Sequence, residues 1–273
     1  MLEHLASLWQ YEFMRHAIYT GLLVSIACGI IGTLVVVKRI VFLAGGISHT
    51  AYGGIGLGYF FGFNPIIGAT IFSLLAAFAI AAVRHHISQR EDTLIGIMWA
   101  MGMSIGIFMI DKTPGYAPNL MSYLFGNILT VPTIDLIMMA IMDLAILIIT
   151  MSLFKEFKAL TFDEEHSAIS GLPVIALNIL MFCLIALTVV VMIRAVGIIL
   201  VIALLTIPAA IVVQFHFTLG RTMLYSVILG SLFTTVGLIL SAVFNITSGA
   251  TIIMLASIGY LISLTIKPLI LKQ

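Results

Sequence analysis

His49 carries the chemistry that matters most in this chain. It stands in the run GGISHTAYGGIGLGYFFG, residues 45–62, after a Lys38-Arg39 pair and before Asn64-Pro65. Imidazole is the commonest metal ligand among side chains. As a helix, the run puts Gly46, Thr50, Gly54, Gly58 and Gly62 one turn apart on a single stripe, where another helix can approach closely. His49 falls at the edge of that stripe, with Gly45 one turn before it and Gly53 one turn after. Those two glycines predict open space beside the ring. Each glycine also costs a helix up to ~1 kcal/mol relative to alanine. So many in one helix point to backbone closeness or a cavity. Ser48, Thr50 and Tyr52 bring hydroxyls to the same segment. A histidine hydrogen-bonded within a bundle is the plainer account, but an ionisable group at membrane depth tends to mark a pathway.

Asp143 is the second candidate. It lies midway along IDLIMMAIMDLAILIITM, where a carboxylate must be paired, hydrated or protonated. It could serve a cation path as a metal ligand or pair with a polar group from a neighbouring helix. Asp135, near the start of the same run, reads as interfacial. The 15 methionines could touch a soft metal, but packing is their default role. The third polar feature is the insert KEFKALTFDEEHSAISG, residues 155–171. Asp163, Glu164, Glu165 and Ser167 suit the first turn of a short helix. Gly171 can end it, and Pro173 prevents its continuation. A solvated loop fits the same composition.

The elements that must position these residues are membrane spans. Of 273 residues, 62% are apolar and only 8% charged. A soluble domain is about a quarter charged. So few charges cannot cover a water-soluble body of this size. Runs of about 20 apolar residues, the length of a spanning helix, recur along the whole chain. The expectation is an all-α, polytopic helix bundle of eight or nine transmembrane helices in a single domain, residues 1–273. Spans are expected near 17–37, 42–61, 65–83, 94–110, 133–154, 173–193, 196–215, 223–244 and 250–266. Residues 120–130 are too short to cross. Trp9, Tyr11 and Phe13 suit the membrane interface. Glu3 and the lack of a cleavage site predict no removable signal peptide. Cys28 and Cys183 both lie in apolar runs and read as packing residues, not a disulfide.

Lysine and arginine bias sets the orientation. With the N-terminus outside, Lys38-Arg39, Arg84 with Arg90, Lys155 with Lys158, Arg221, and Lys267 with Lys272 fall in the cytoplasm. Lys112 and Arg194 fall outside. The expected topology is N-out and C-in, with a short cytoplasmic helix in the 155–171 insert. The formal net charge of +1 suggests no nucleic-acid partner. No GxxxxGK[ST] phosphate loop and no HExxH occurs. The chain therefore carries no sign of hydrolysing ATP itself or of being a membrane enzyme.

Several segments in order resemble the permease subunits of the metal-ion ABC importers, which take up zinc, manganese or iron. They are GIIGTLVVVKRIVFLAGGISHTAYGGIGLG at 29–58, YLFGNIL at 123–129, FDEEHSAISGLPV at 162–174, VGIILVIALLTIPAAIV at 196–212 and SGATIIML at 248–255. The resemblance implies a homodimer in a prokaryotic cell membrane, two cytoplasmic ATP-binding cassette ATPases and an extracytoplasmic metal-binding protein. It implies no permanently bound cofactor, the metal ion being cargo. Residues Asp163, Glu164, Ser167, Ala168 and Gly171 correspond to the coupling helix that docks on the ATPase. His49 corresponds to a Ser-His motif lining the ion path, beside Ser48, Thr50, Gly45 and Gly53. Many members carry an aspartate where Gly45 stands here. Its loss leaves His49 without a carboxylate one turn away, which favours zinc over manganese or iron. Other cargo of the same design, such as a metal chelate or vitamin, remains an alternative. So does an ion-coupled secondary transporter using Asp143 and His49.

Overall fold

The computed structural model describes residues 11–86, 91–114 and 121–270. The expectations for Glu3, Trp9, residues 87–90 and 115–120, and Lys272 lie outside the described residues. Among those described, the chain forms helices throughout. They are α1 (Glu12–Val37), α2 (Val41–Phe61), α3 (Pro65–His86), α4 (Glu91–Asp111), α5 (Met121–Phe125), α6 (Thr133–Ser152), α7 (Phe154–Phe162), α8 (Glu164–Ile169), α9 (Val174–Val213), α10 (Leu219–Phe244) and α11 (Ser248–Ile270). A single 3-10 turn, Ile128–Thr130, follows α5. Five residues of α5 cannot cross a bilayer, in line with the reading of 120–130.

Seven of the described helices are long and apolar enough to span: α1, α3, α4, α6, α9, α10 and α11. α9 runs 40 residues and is broken at Gly197 (φ 79°, ψ 159°). At 1.5 Å per residue it is ~60 Å long, twice the ~30 Å hydrocarbon thickness. It is two helices in series, where the sequence suggested two spans. α2 is not among these seven, because its glycines and His49 lower its mean hydropathy. Every residue from Leu43 to Gly56 is buried, so α2 presents no lipid face over that stretch. Counting α9 as two and adding α2 gives nine apolar segments. α6 shows the inverted pattern of a protein in lipid. Ile134, Ile137, Ile141, Leu144, Ile148 and Met151 form an exposed apolar stripe, while Asp135, Met139, Asp143 and Ile146 are buried.

Two compact groups of helices divide the chain. One comprises Lys38–Leu120 and Ile149–Val191, and the other Met1–Val37, Met121–Ile148 and Met192–Gln273. In the first, α2 packs on α3 and α4 through backbone contact. A Cβ on Gly54 would collide with the Gly68 carbonyl of α3, and one on Gly68 would meet the Gly54 carbonyl. On α4, a Cβ at Gly102 would sit 2.6 Å from the Thr50 Cα, and one at Gly106 would strike the Tyr52 backbone. The expected small-residue stripe is thus shared by two helices. Gly46 and Thr50 face α4, and Gly54 and Gly58 face α3. Gly62 departs from the stripe and caps the helix C-terminus.

In the second group, α1 packs on α10, which packs on α11. Gly29 abuts the Val227 backbone, and Ile211, Phe233 and Ala256 form a buried apolar core. Gly126, just after α5, lies against the break in α9. Both Gly126 (φ 67°) and Gly197 (φ 79°) have positive φ. A Cβ on either would enter the backbone of the other's segment. Two glycines are needed at once, for conformation and for contact.

The contacts separate two glycines of the same helix group. Gly54→Ala should lose about 1–3 kcal/mol or more, because backbone cannot yield to the methyl group. Gly96→Ala, on α4 with nothing within 4 Å of an added Cβ, should be neutral or gain up to ~1 kcal/mol. Thermal unfolding of the two variants in detergent, followed by size-exclusion fluorescence, checks the difference.

Candidate functional site

His49 sits in the middle of α2 and is 9% exposed. Its ring lies parallel to the indole of Trp99 on α4, with centroids 4.0 Å apart and planes 12° apart. The imidazole Nδ1 is buried and has no hydrogen-bond partner. The glycines around the ring do not leave open space. A Cβ on Gly45 would lie 3.1 Å from Trp99 Cζ3. One on Gly53 would lie 2.9 Å from the Gly102 carbonyl and 3.2 Å from the Phe72 ring. The cleared volume is filled by α4 and by Phe72. Ser48 and Thr50 are buried, and each hydroxyl donates 2.7 Å to the carbonyl four residues back, Ala44 and Gly46. Thr50 also reaches the Met98 carbonyl of α4 at 3.3 Å. These bonds hide the hydroxyls in the helix ladder and leave oxygen lone pairs as the polar surface.

Asp143 lies in the other group of helices. It is 6% exposed, and neither carboxylate oxygen has a hydrogen-bond partner. Eight residues earlier on α6, Asp135 accepts a 3.3 Å hydrogen bond from Arg194 and is buried. Asp135, read as interfacial, is thus also paired, with an arginine that is half exposed. Among the described residues, no group of three or more His, Cys, Asp or Glu side chains could enclose a metal ion. Cys28 and Cys183 are both free thiols.

The 155–171 insert is helical rather than a loop. α7 ends at Phe162, and Asp163 caps α8, its side chain accepting 2.8 Å from the His166 N–H. This is N-cap chemistry. At the other end Gly171 takes φ 80°. The Leu172 N–H bonds the Ser167 carbonyl, and the Gly171 N–H bonds that of Ala168, both at 3.1 Å. Those two bonds form a Schellman motif. Glu164 points inward. Its Oε1 accepts 2.7 Å hydrogen bonds from Lys38 Nζ and Asn178 Nδ2. Lys38 also donates to the Leu160 carbonyl at 3.1 Å. Its side chain is only 4% exposed, so the ion pair is largely shielded from water. Ser167 is buried and bonds the Asp163 carbonyl at 2.6 Å. Ala168 is exposed, and so are Phe162 (66%) and Ile169 (85%).

Sequence reasoning missed Trp99 and the Lys38–Glu164–Asn178 cluster. Both are contacts between residues far apart in the chain. A Trp in the middle of an apolar span, unlike one at its ends, was the available signal for the first.

Known proteins are similar to this chain in sequence and fold. The model of the ABC 3 transport family matches residues 10–267. An uncharacterised membrane protein of Synechocystis is 52% identical over 98% of this chain and 95% of its own length. A probable metal transport system membrane protein of Chlamydia pneumoniae is 37% identical, over 89% of this chain and 85% of its own. The manganese transport system membrane protein MntC of Listeria monocytogenes is 31% identical over 97% and 94%. Among solved structures, a chain of PsaBC from Streptococcus pneumoniae in complex with Fab superposes with a TM-score of 0.85. It is 30% identical, and the match covers 96% of this chain and 94% of that one. The multi-pass membrane protein described above, with its glycine-packed helices, belongs to the ABC 3 transport family.

Proposed function

We propose that this chain is the membrane-spanning subunit of an ATP-driven importer for a divalent transition-metal ion. The carrying observation is the imidazole of His49, buried at mid-helix with Nδ1 unpartnered, inside a bundle whose outside is apolar. In this reading His49 is a transient ligand, weak enough to release the ion. Ser48, Thr50, Gly45 and Gly53 border it, and Asp143 is a second polar station. The chain works as a homodimer, with a separate ATP-binding cassette ATPase inside and a metal-binding protein outside. Relatives named for metal and manganese transport support the cargo class. Manganese takes first place on those names. Zinc is the second reading, favoured by an imidazole without an adjacent carboxylate.

The N-out, C-in topology follows from the charge bias. The Lys38–Glu164 ion pair supports one part of it, that the two segments lie on the same side of the membrane. The 163–171 segment is then the coupling element. Asp163 and Gly171 cap it, Glu164 ties it to Lys38 and Asn178, and Ser167 bonds within it. Ala168, with Phe162 and Ile169, offers an exposed apolar tip to the ATPase.

Three outcomes follow. His49→Ala should lower cellular uptake of radioactive manganese or zinc about tenfold or more while leaving assembly intact. Unchanged uptake of both ions removes His49 from the path. Ile169→Asp should cost uptake about tenfold without lowering the melting temperature of the purified chain, because the side chain is already in solvent. A thiol placed by Ser170→Cys should react with an impermeant maleimide only from the cytoplasmic side of membrane vesicles. Labelling from outside reverses the topology.

A further inference from the structure

A metal-ligating imidazole is ordinarily fixed by a hydrogen bond from its second ring nitrogen. His49 has no such bond at Nδ1. An aromatic face takes its place. The Trp99 indole stacks on the imidazole at 4.0 Å and is itself held from two other sides. Phe42 lies 5.9 Å away in a tilted contact, and Gly45 lies beneath, where a Cβ would stand 3.1 Å from Cζ3. Phe42, Gly45 and His49 fall at i, i+3 and i+7, one face of α2. The indole therefore rests across two turns of α2, between two rings and over a residue with no side chain.

We propose that Trp99 is the positioning residue for the ion at His49. The inference rests on the reading of His49 as a transient ligand. The lone pair of an imidazole lies in the ring plane. Stacking covers a ring face and fixes that plane, yet leaves the edge free to meet a cation. A hydrogen-bonded partner would also raise the basicity of the ligand. A stacked one does not, so the ring is held in place while its grip on the ion stays weak. Gly45 has a matching purpose, as the seat of the indole.

The chain's two tryptophans are Trp9 and Trp99, which gives a direct readout. In a Trp9→Phe background in detergent micelles, Trp99 is the sole indole emitter. Titration with manganese or zinc chloride should change its emission saturably, and His49→Ala should abolish the change. In cells, Trp99→Ala and Gly45→Val should each lower uptake of the same ions about tenfold, the usual scale for losing an orienting partner. Trp99→Phe, which keeps a stacking face, should stay within about threefold of the parent. An emission insensitive to both metals, while His49→Ala still loses uptake, overturns the role of Trp99 and leaves that of His49 standing. Full uptake by folded Trp99→Ala does the same. Should Trp99→Ala fail to fold, the emission titration, made with Trp99 intact, decides alone. Normal uptake by His49→Ala instead removes the ligand reading itself.

Discussion

Backbone-to-backbone contact at glycine is the constraint on which this structure depends. In lipid, no hydrophobic force drives one helix onto another, because the tails are as apolar as leucine. Association must come from close van der Waals fit and from polar contacts. α2 meets both requirements. It sets Gly54 against Gly68 and its Thr50 and Tyr52 backbone against Gly102 and Gly106. The same arithmetic returns in the other helix group, where Gly126 and Gly197 meet with no side chain between them. Any Cβ at these points forces whole helices apart, so the fold has little freedom to drift at them.

That tightness also accounts for the interior chemistry. A helix encased by neighbours can carry a histidine and several hydroxyls at a depth where lipid exposure would be costly. Ser48 and Thr50 spend their donors on their own helix, a local solution that needs no partner. His49 makes no such bond at Nδ1. It is stabilised through the face of the ring. Charges at the ends of the helices are treated differently. Lys38 with Glu164, and Arg194 with Asp135, are paired, each within its own helix group.

Much of this was readable from local pattern. Long apolar runs marked the spans, and Asp163 and Gly171 marked the ends of α8 because cap chemistry is confined to one turn. The glycine stripe correctly announced that α2 would be approached closely. It could not say by what. Gly45 and Gly53 read as open space because a single helix records only where its own side chains are missing. The filling groups, Trp99 and Phe72, come from other helices. The break in α9 is similar. Sequence placed a span boundary around Arg194, but the turn occurs at Gly197, where Gly126 presses on it from about 70 residues away. Glu164 entered the sequence reading as a first-turn acid and, through the resemblance, as part of the coupling helix. Only the fold brings Lys38 and Asn178 to it.

The Lys38–Glu164 pair also makes a mechanical linkage. Lys38 follows the last residue of α1 and stands three residues before α2, and His49 rides about two turns beyond the first residue of α2. Glu164 opens α8 and is bonded at the same oxygen to Asn178 in the first turns of α9. One carboxylate thus ties α8 both to the short linker that leads into the histidine-bearing helix and to the start of α9, like a tie-rod with a forked end. Under the proposed coupling role, a pull on α8 would reach both by this route.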